Sequence, residues 1–299
     1  MNPRSNNTLW QPSRRTLLSA SVTALAACST SSKAAVQPQA APKRTVPIGL
    51  QLWSVREACA IDVDATLKDV AASGFAGVEF AGHYKYEGDA QGLRKTLDAL
   101  GLRAAGSHLS VRAFGPERLG KTMDFYKTLG AKFLIVGGDK RFTDPEGSKA
   151  YAEEMNAAAQ KLKSSDLYCG HHNHTEEFAK VGDTTYWHLF ADRTSPDVFL
   201  QLDVGWALAA GLDPIALIKR YPGRFKTLHL KVPPGLHVQD PFIGNKRFDW
   251  KGIVNASLEV GGAEWLMVEQ EDYPTGMSPM QSSQTSLRGL QNIMAGKPG

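Results

Sequence analysis

Between residue 45 and residue 299 a short apolar run is followed by a longer stretch with helical spacing, and this happens eight times. Such alternation commits a chain to parallel strands joined by helical crossovers. The spacing predicts strands at 47–53, 77–80, 103–109, 131–136, 167–172, 198–203, 225–231 and 265–269. Helices are expected at 62–73, 90–100, 148–163 and 282–294, with a weaker one at 186–190. Three more open at Pro116, Pro214 and Asp249, and Gly74, Gly101 and Gly130 close the first three helical stretches. Eight such units in about 250 residues fit a single-domain α/β fold, a closed (β/α)8 TIM barrel, better than an open sheet. No Gly-x-Gly-x-x-Gly follows the first strand, which argues against a dinucleotide site.

In a closed barrel, alternate strand residues point inward and chemistry collects at the C-terminal strand ends. Period two places Thr227, His229 and Lys231 on one face, Gln201 and Asp203 on another, and Met267, Glu269 and Glu271 on a third. Glu79, His108, Gln51 and Trp53 share that inward parity, as do His172 and His174 of the stretch Cys169-Gly170-His171-His172-Asn173-His174. The same parity turns His171 outward, toward a helix. Polar groups are costly to bury unless they are paired or bound to a metal. His172, Asp203, His229 and Glu269 come from four consecutive strands. Two imidazoles and two carboxylates suit one divalent ion such as Mn2+, Co2+, Fe2+ or Zn2+.

The first 44 residues follow a different logic. Arg14-Arg15 precede a modest apolar run, residues 17–27, which is too short and too rich in Ala, Ser and Thr to span a bilayer. This pattern resembles a twin-arginine export signal, and Leu25-Ala26-Ala27-Cys28 resembles a lipobox with Cys28 as the acylated residue. Cleavage a little further on, with Cys28 incidental, is the alternative. The expected organisation is therefore a signal at 1–28, a flexible tether at 29–44 and the barrel at 45–299, in an exported, periplasmic protein. The only membrane contact expected is a lipid anchor at Cys28. Six of the 34 basic residues and none of the 30 acidic ones precede Thr45, so a formal charge of +4 becomes −2 for the barrel. No basic face for nucleic acid is implied. Cys59 and Cys169 are expected as two buried thiols rather than a disulfide.

Gly49-Leu50-Gln51-Leu52-Trp53-Ser54-Val55-Arg56 resembles the opening strand of the sugar phosphate isomerase/epimerase family, the xylose isomerase-like TIM barrels. Gly77-Val78-Glu79-Phe80, His171-His172-Asn173-His174, Leu202-Asp203-Val204-Gly205-Trp206 and Leu228-His229-Leu230-Lys231 follow in that family's order. So do Phe248-Asp249-Trp250 and Val268-Glu269-Gln270-Glu271. The resemblance implies one divalent metal held by residues of the last four strands. By position, Asp203, His229 and Glu269 are three of them. His172 stands where the epimerases usually have Glu, and Val232 where Asp often follows His-x-Lys. Both departures put a symmetric two-carboxylate proton shuttle in doubt.

The resemblance further implies a small carbohydrate substrate and metal-assisted proton transfer next to a carbonyl, through an enediolate. Glu269 is the candidate for both ligand and base. Lys231, Glu79 and His174 are candidates for a second proton-transfer or orienting role, with a simple ion pair for Lys231 and a hydrogen-bond acceptor for Glu79 as alternatives. His108, His174 and Arg56 are expected near substrate hydroxyls, and Trp53 or Trp206 against a sugar ring, with core packing an equal alternative for Trp206. An isomerase or epimerase is the first expectation. A lyase or dehydratase on a keto-sugar, keto-glycoside or inosose comes second, and a non-enzymatic sugar-binding lipoprotein third. The oligomeric state is left open by the sequence.

Overall fold

The structure, a computed structural model, describes residues 45–235 and 240–297. The signal and tether expected over residues 1–44 lie outside the described residues. Eight strands form the barrel: β1 Ile48–Gln51, β2 Gly77–Phe80, β3 Arg103–Leu109 and β4 Phe133–Val136. β5 Tyr168–His172, β6 Phe199–Asp203, β7 Thr227–Leu230 and β8 Trp265–Val268 complete it. Each pairs in parallel with its sequence neighbours, and β8 pairs with β1 to close the ring. The closing register sets Gly49 beside Met267 on one side and Gly77 on the other. The β2–β3 register shifts between Val78 and Glu79, which no sequence pattern announces.

The helices α1 Arg56–Ala72, α2 Ala90–Leu100, α3 Leu119–Leu129, α4 Gly147–Lys163 and α5 Tyr186–Arg193 follow the first five strands. Later come α6 Val204–Ala209, α7 Pro214–Arg220, α8 Trp250–Ala256 and α9 Pro279–Met294. The expected start of α1 at Asp62 coincides with a break, where Asp62 has φ −153° and ψ 97°. Its carboxylate accepts from the backbone N–H groups of Asp64 and Ala65, which caps the turns that follow. The extra turn over residues 56–61 and the short α6 were not expected, and α3 begins three residues after Pro116. A two-stranded ribbon, Lys180–Val181 with Thr184–Thr185, lies outside the barrel sheet.

Two apolar layers hold the assembly. The larger lies between strands and helices, where outward strand residues such as Leu200, Leu202, Leu228 and Leu230 are fully buried. The smaller fills the lower barrel with Ala105, Phe133, Ile135, Phe199, Trp265 and Met267. Phe133 and Phe199 meet edge-on at 5.4 Å, and each buried ring contributes about 1.5–3 kcal/mol relative to an exposed one. Gly170 makes room for this plug, since a Cβ there would lie 2.5 Å from Phe199 O. The plug floors the cavity, and the buried polar side chains at the strand ends stand above it. Cys59 and Cys169 are free and buried, as expected. Among the described residues no helix is long and apolar enough to cross a membrane.

Candidate metal and active site

Glu79 is the fixed point of the mouth. Its side chain is wholly buried and takes Gln51 Nε2 at 2.7 Å, Gln201 Nε2 at 2.8 Å and His229 Nε2 at 2.6 Å, with His108 Nε2 at 3.1 Å. Burial alone would raise its pKa. The imidazoles of His229 and His108 outweigh that and hold the carboxyl well below the ordinary carboxylate range.

Gln201 passes this order on. Its Nε2 lies between two acceptors, Glu79 and Thr227 Oγ1 at 2.7 Å, so its Oε1 must face the histidines. That oxygen accepts from His172 Nδ1 at 3.0 Å and from His108 Nε2 at 2.8 Å. His172 therefore carries its proton on Nδ1 and presents the Nε2 lone pair to the cavity. By the same reasoning His229 gives its Nε2 proton to Glu79 and turns Nδ1 toward Glu269, at 3.1 Å. A ring nitrogen freed by a hydrogen bond on the other side is how protein imidazoles are prepared to bind metals.

His172 Nε2 and His229 Nδ1 meet two carboxylates. One ligand atom each from His172, Asp203, His229 and Glu269 falls within 4.8 Å of all the others. Asp203 Oδ2 lies 3.8 Å from His172 Nε2 and 3.8 Å from His229 Nδ1. It is buried and accepts no well-aligned hydrogen bond; Lys231 Nζ, 3.1 Å away, is its charged neighbour. Burial raises the Asp203 pKa to about 6, against the pull of Lys231. A buried carboxylate oxygen with no hydrogen bond, beside two imidazoles, is what a divalent cation would complete, so the residues fit such an ion.

Lys231 lies just beyond β7 and is buried among acids. Its Nζ is 3.0 Å from Glu269 Oε2 and 3.1 Å from Asp203 Oδ2, and it also donates to Glu271. Burial opposes its charge, but Asp203, Glu269 and Glu271 together raise its pKa. Burial likewise opposes a charge on His229, yet Glu79 and Glu269 push its pKa up to about 10, so without an ion Nδ1 also carries a proton, which a bound cation would displace. Glu269 is held well below the usual range by Lys231 and His229 despite its burial.

A model of the xylose isomerase-like TIM barrel family matches residues 67–293. The chain belongs to that family. An inosose dehydratase of Clostridium botulinum is 23% identical over 278 residues, covering 77% of this chain and 88% of the relative. A sugar phosphate isomerase/epimerase structure from Parabacteroides distasonis is 25% identical, with a TM-score of 0.67 over 84% of this chain and 96% of that one. A D-allulose 3-epimerase from a Methylomonas species, solved with D-allulose, shares 16% identity and a TM-score of 0.61, over 84% and 98%.

In this xylose isomerase-like barrel the four side chains read from the sequence come together at the mouth, with His108 beside them and Glu79 behind His229. The rim differs. Trp53 was expected on the inner face of β1, but the strand ends at Gln51, whose side chain caps a tight turn. Trp53 is 45% exposed, with the Arg56 guanidinium 4.6 Å over its ring. Both sit at the mouth rather than on the ligand set. His174 lies tilted against Trp206, with ring centroids 5.6 Å apart, and meets His172 edge-on at 5.0 Å.

His171 points outward as expected. Its Nδ1 meets Tyr151 Oη at 2.8 Å and its ring stacks on Phe142 at 4.2 Å. Four supporting residues were not singled out from the sequence. Gln201 and Gln51 carry no charge to mark them, although their parity was readable. Asn173 holds the Asp203 peptide, accepting from Asp203 N at 2.9 Å. Glu177 accepts from His174 N at 2.7 Å and faces His171 Nε2 at 3.4 Å, tying the rim loop to β5.

Proposed function

We propose that this protein is a carbohydrate-directed enzyme that removes a proton next to a carbonyl, with one divalent ion held by His172, Asp203, His229 and Glu269. The observation that carries the proposal is this donor set, with Asp203 Oδ2 buried and free of hydrogen bonds inside it and the Lys231–Glu269 pair beside it. A bound ion would polarise the carbonyl and stabilise the negative charge that develops on it.

The chain's own groups carry the rest. Both contacts of Glu269 fall on Oε2, so Oε1 is the position from which it takes the proton as base. Lys231, charged and adjacent, is the acid. His108, His174 and Arg56 are placed to contact substrate hydroxyls, and Trp53 to face a ring at the open mouth. Glu79, saturated with donors and out of reach of solvent, orients His229 and does not touch substrate.

After the first proton is removed, two outcomes are open. Returning it elsewhere is isomerisation or epimerisation, the first expectation from the sequence. Expelling a β-hydroxyl or alkoxy group, which takes its proton from Lys231 and leaves as water or an alcohol, is elimination on a keto-sugar, keto-glycoside or inosose. One observation favours elimination: His172 replaces the second carboxylate, so a single carboxylate base stands beside a single ammonium acid. The inosose dehydratase relatives support the same branch. Incubation with ketoses, keto-glycosides and inososes in deuterated water tests it. An enone product supports elimination, whereas solvent deuterium in an otherwise intact sugar supports the isomerase reading. The site assignment is lost if the purified protein contains no metal and Asp203→Ala leaves its metal affinity unchanged.

We also infer from residues 13–28 that the protein is exported to the periplasm and anchored through Cys28. Metabolic labelling with a fatty acid tests this, and label retained by Cys28→Ala would reject it.

A further inference from the structure

Lys231 touches the same two carboxylate oxygens that the proposed metal needs. Its Nζ lies 3.1 Å from Asp203 Oδ2 and 3.0 Å from Glu269 Oε2, while only 2% of the residue is exposed, so water does little to satisfy the ammonium. The indole of Trp206, 4.8 Å from Nζ, adds a third favourable surface for the cation. A divalent ion binds carboxylate oxygen at about 2.0–2.2 Å. An ion on these oxygens would thus stand within a few ångströms of a fixed positive charge, with little solvent between to screen the repulsion.

The structure also provides a way out. Glu271 is the third partner of Lys231, on the same parity as Glu269 but at the rim, with a side chain 25% exposed against 7% for Glu269. The lysine stem is long and flexible and can keep Glu271 while releasing the inner pair. Gly205 packs against that stem, since a Cβ there would lie 2.6 Å from Lys231 Cγ.

We propose that the Lys231 ammonium is the built-in counter-ion of the ligand carboxylates, that it competes with the divalent ion for Asp203 and Glu269, and that it withdraws to Glu271 when the ion binds. The proposal rests on the metal-site reading above and adds a role for the protein's own cation. Without the ion Lys231 neutralises the buried acids and lets the barrel stand. With it, Lys231 moves toward the mouth, where an acid is wanted.

Calorimetric titration of chelator-treated protein with Mn2+ alone, together with thermal melts with and without Mn2+, tests this in the wild type, Lys231→Met and Glu271→Gln. Lys231→Met should bind Mn2+ at least about tenfold more tightly, because its competitor is gone. It should also melt lower without metal and gain more from its addition. Glu271→Gln should do the opposite, binding a few-fold more weakly, because Lys231 loses its refuge and stays on the inner pair. Unchanged or weaker binding by Lys231→Met overturns the proposal. If that variant does not fold, Glu271→Gln decides alone, and tighter or unchanged binding there overturns it. A wild type that binds no Mn2+, Zn2+ or Co2+ overturns the site reading along with this one, whereas a wild type that binds without these opposed shifts overturns this one only.

Discussion

His229 donates from Nε2 to Glu79 Oε1 at 2.6 Å while its Nδ1 faces Glu269 Oε2 at 3.1 Å. One imidazole thus spans the barrel from β2 to β8. Glu79→Gln keeps the volume but removes the charge that fixes this ring. Removing such an outer partner lowers metal affinity by about 10–100-fold. Titration with a divalent metal checks this, and an affinity within a factor of two of wild type would remove Glu79 from the account.

His172→Glu places a carboxylate where the epimerases usually carry one. It also takes the Nδ1 donor away from Gln201, whose Oε1 keeps His108 at 2.8 Å. Metal should still bind one to one, and the ratio of solvent-deuterium exchange to elimination should rise by at least about tenfold as a second base becomes available. Proton NMR of the recovered sugar measures the ratio. No rise would mean that position 172 does not choose between the two outcomes.

The parity of the strands made this site readable. Glu79, Asp203, His229 and Glu269 are inward because a strand alternates strictly, and each lies on, or one residue beyond, a strand whose limits the apolar runs define. Trp53 shows where the rule stops: β1 ends at Gln51 and a tight turn sends the next residues to the surface. Gln201 was visible by position but not by chemistry, since a neutral amide gives no sign of organising two histidines. Glu177 was hidden for another reason. Its partners are the backbone of His174 and a histidine on the outer face of β5, and no periodic pattern connects a loop to the far side of a strand.

Glu177 gives a pH-dependent stability. Burial would raise its carboxyl, but His171 and the N–H of His174 lower it below the ordinary value. A carboxyl lowered on folding stabilises the native state above its unfolded pKa, about 4.3, and that contribution disappears as pH falls through the folded value. Glu177→Gln should therefore cost about 1–3 kcal/mol near pH 7 and progressively less on acidification below about pH 4. Urea melts of both proteins from pH 7 to pH 3 check the sign; a gap that widens toward acid contradicts it.

Gly170→Ala tests the floor. The added methyl would lie 2.5 Å from Phe199 O and 2.8 Å from two carbons of its ring, with strand backbone on one side and a packed plug on the other. Overpacking of this kind costs about 1–3 kcal/mol. Chemical denaturation should show that loss, and metal affinity should fall with it, because β5 cannot move off β6 without carrying His172. A variant as stable as wild type would mean that the plug yields more easily than its packing implies.

The barrel closes where β8 meets β1, at Ile48–Leu266, Gly49–Met267 and Leu50–Val268. Glu269 follows the last of these pairs, so the final ligand comes from the strand that seals the ring. During synthesis a nascent chain would present Glu79, His172, Asp203 and His229 in turn, each on a sheet with an open edge. Residues more than two hundred positions apart must join before the fourth ligand reaches the other three. Capture of the proposed metal would thus come late in the life of the polypeptide, and a ribosome-bound fragment stopped before Trp265 would hold three of the four donors and no enclosed mouth to use them.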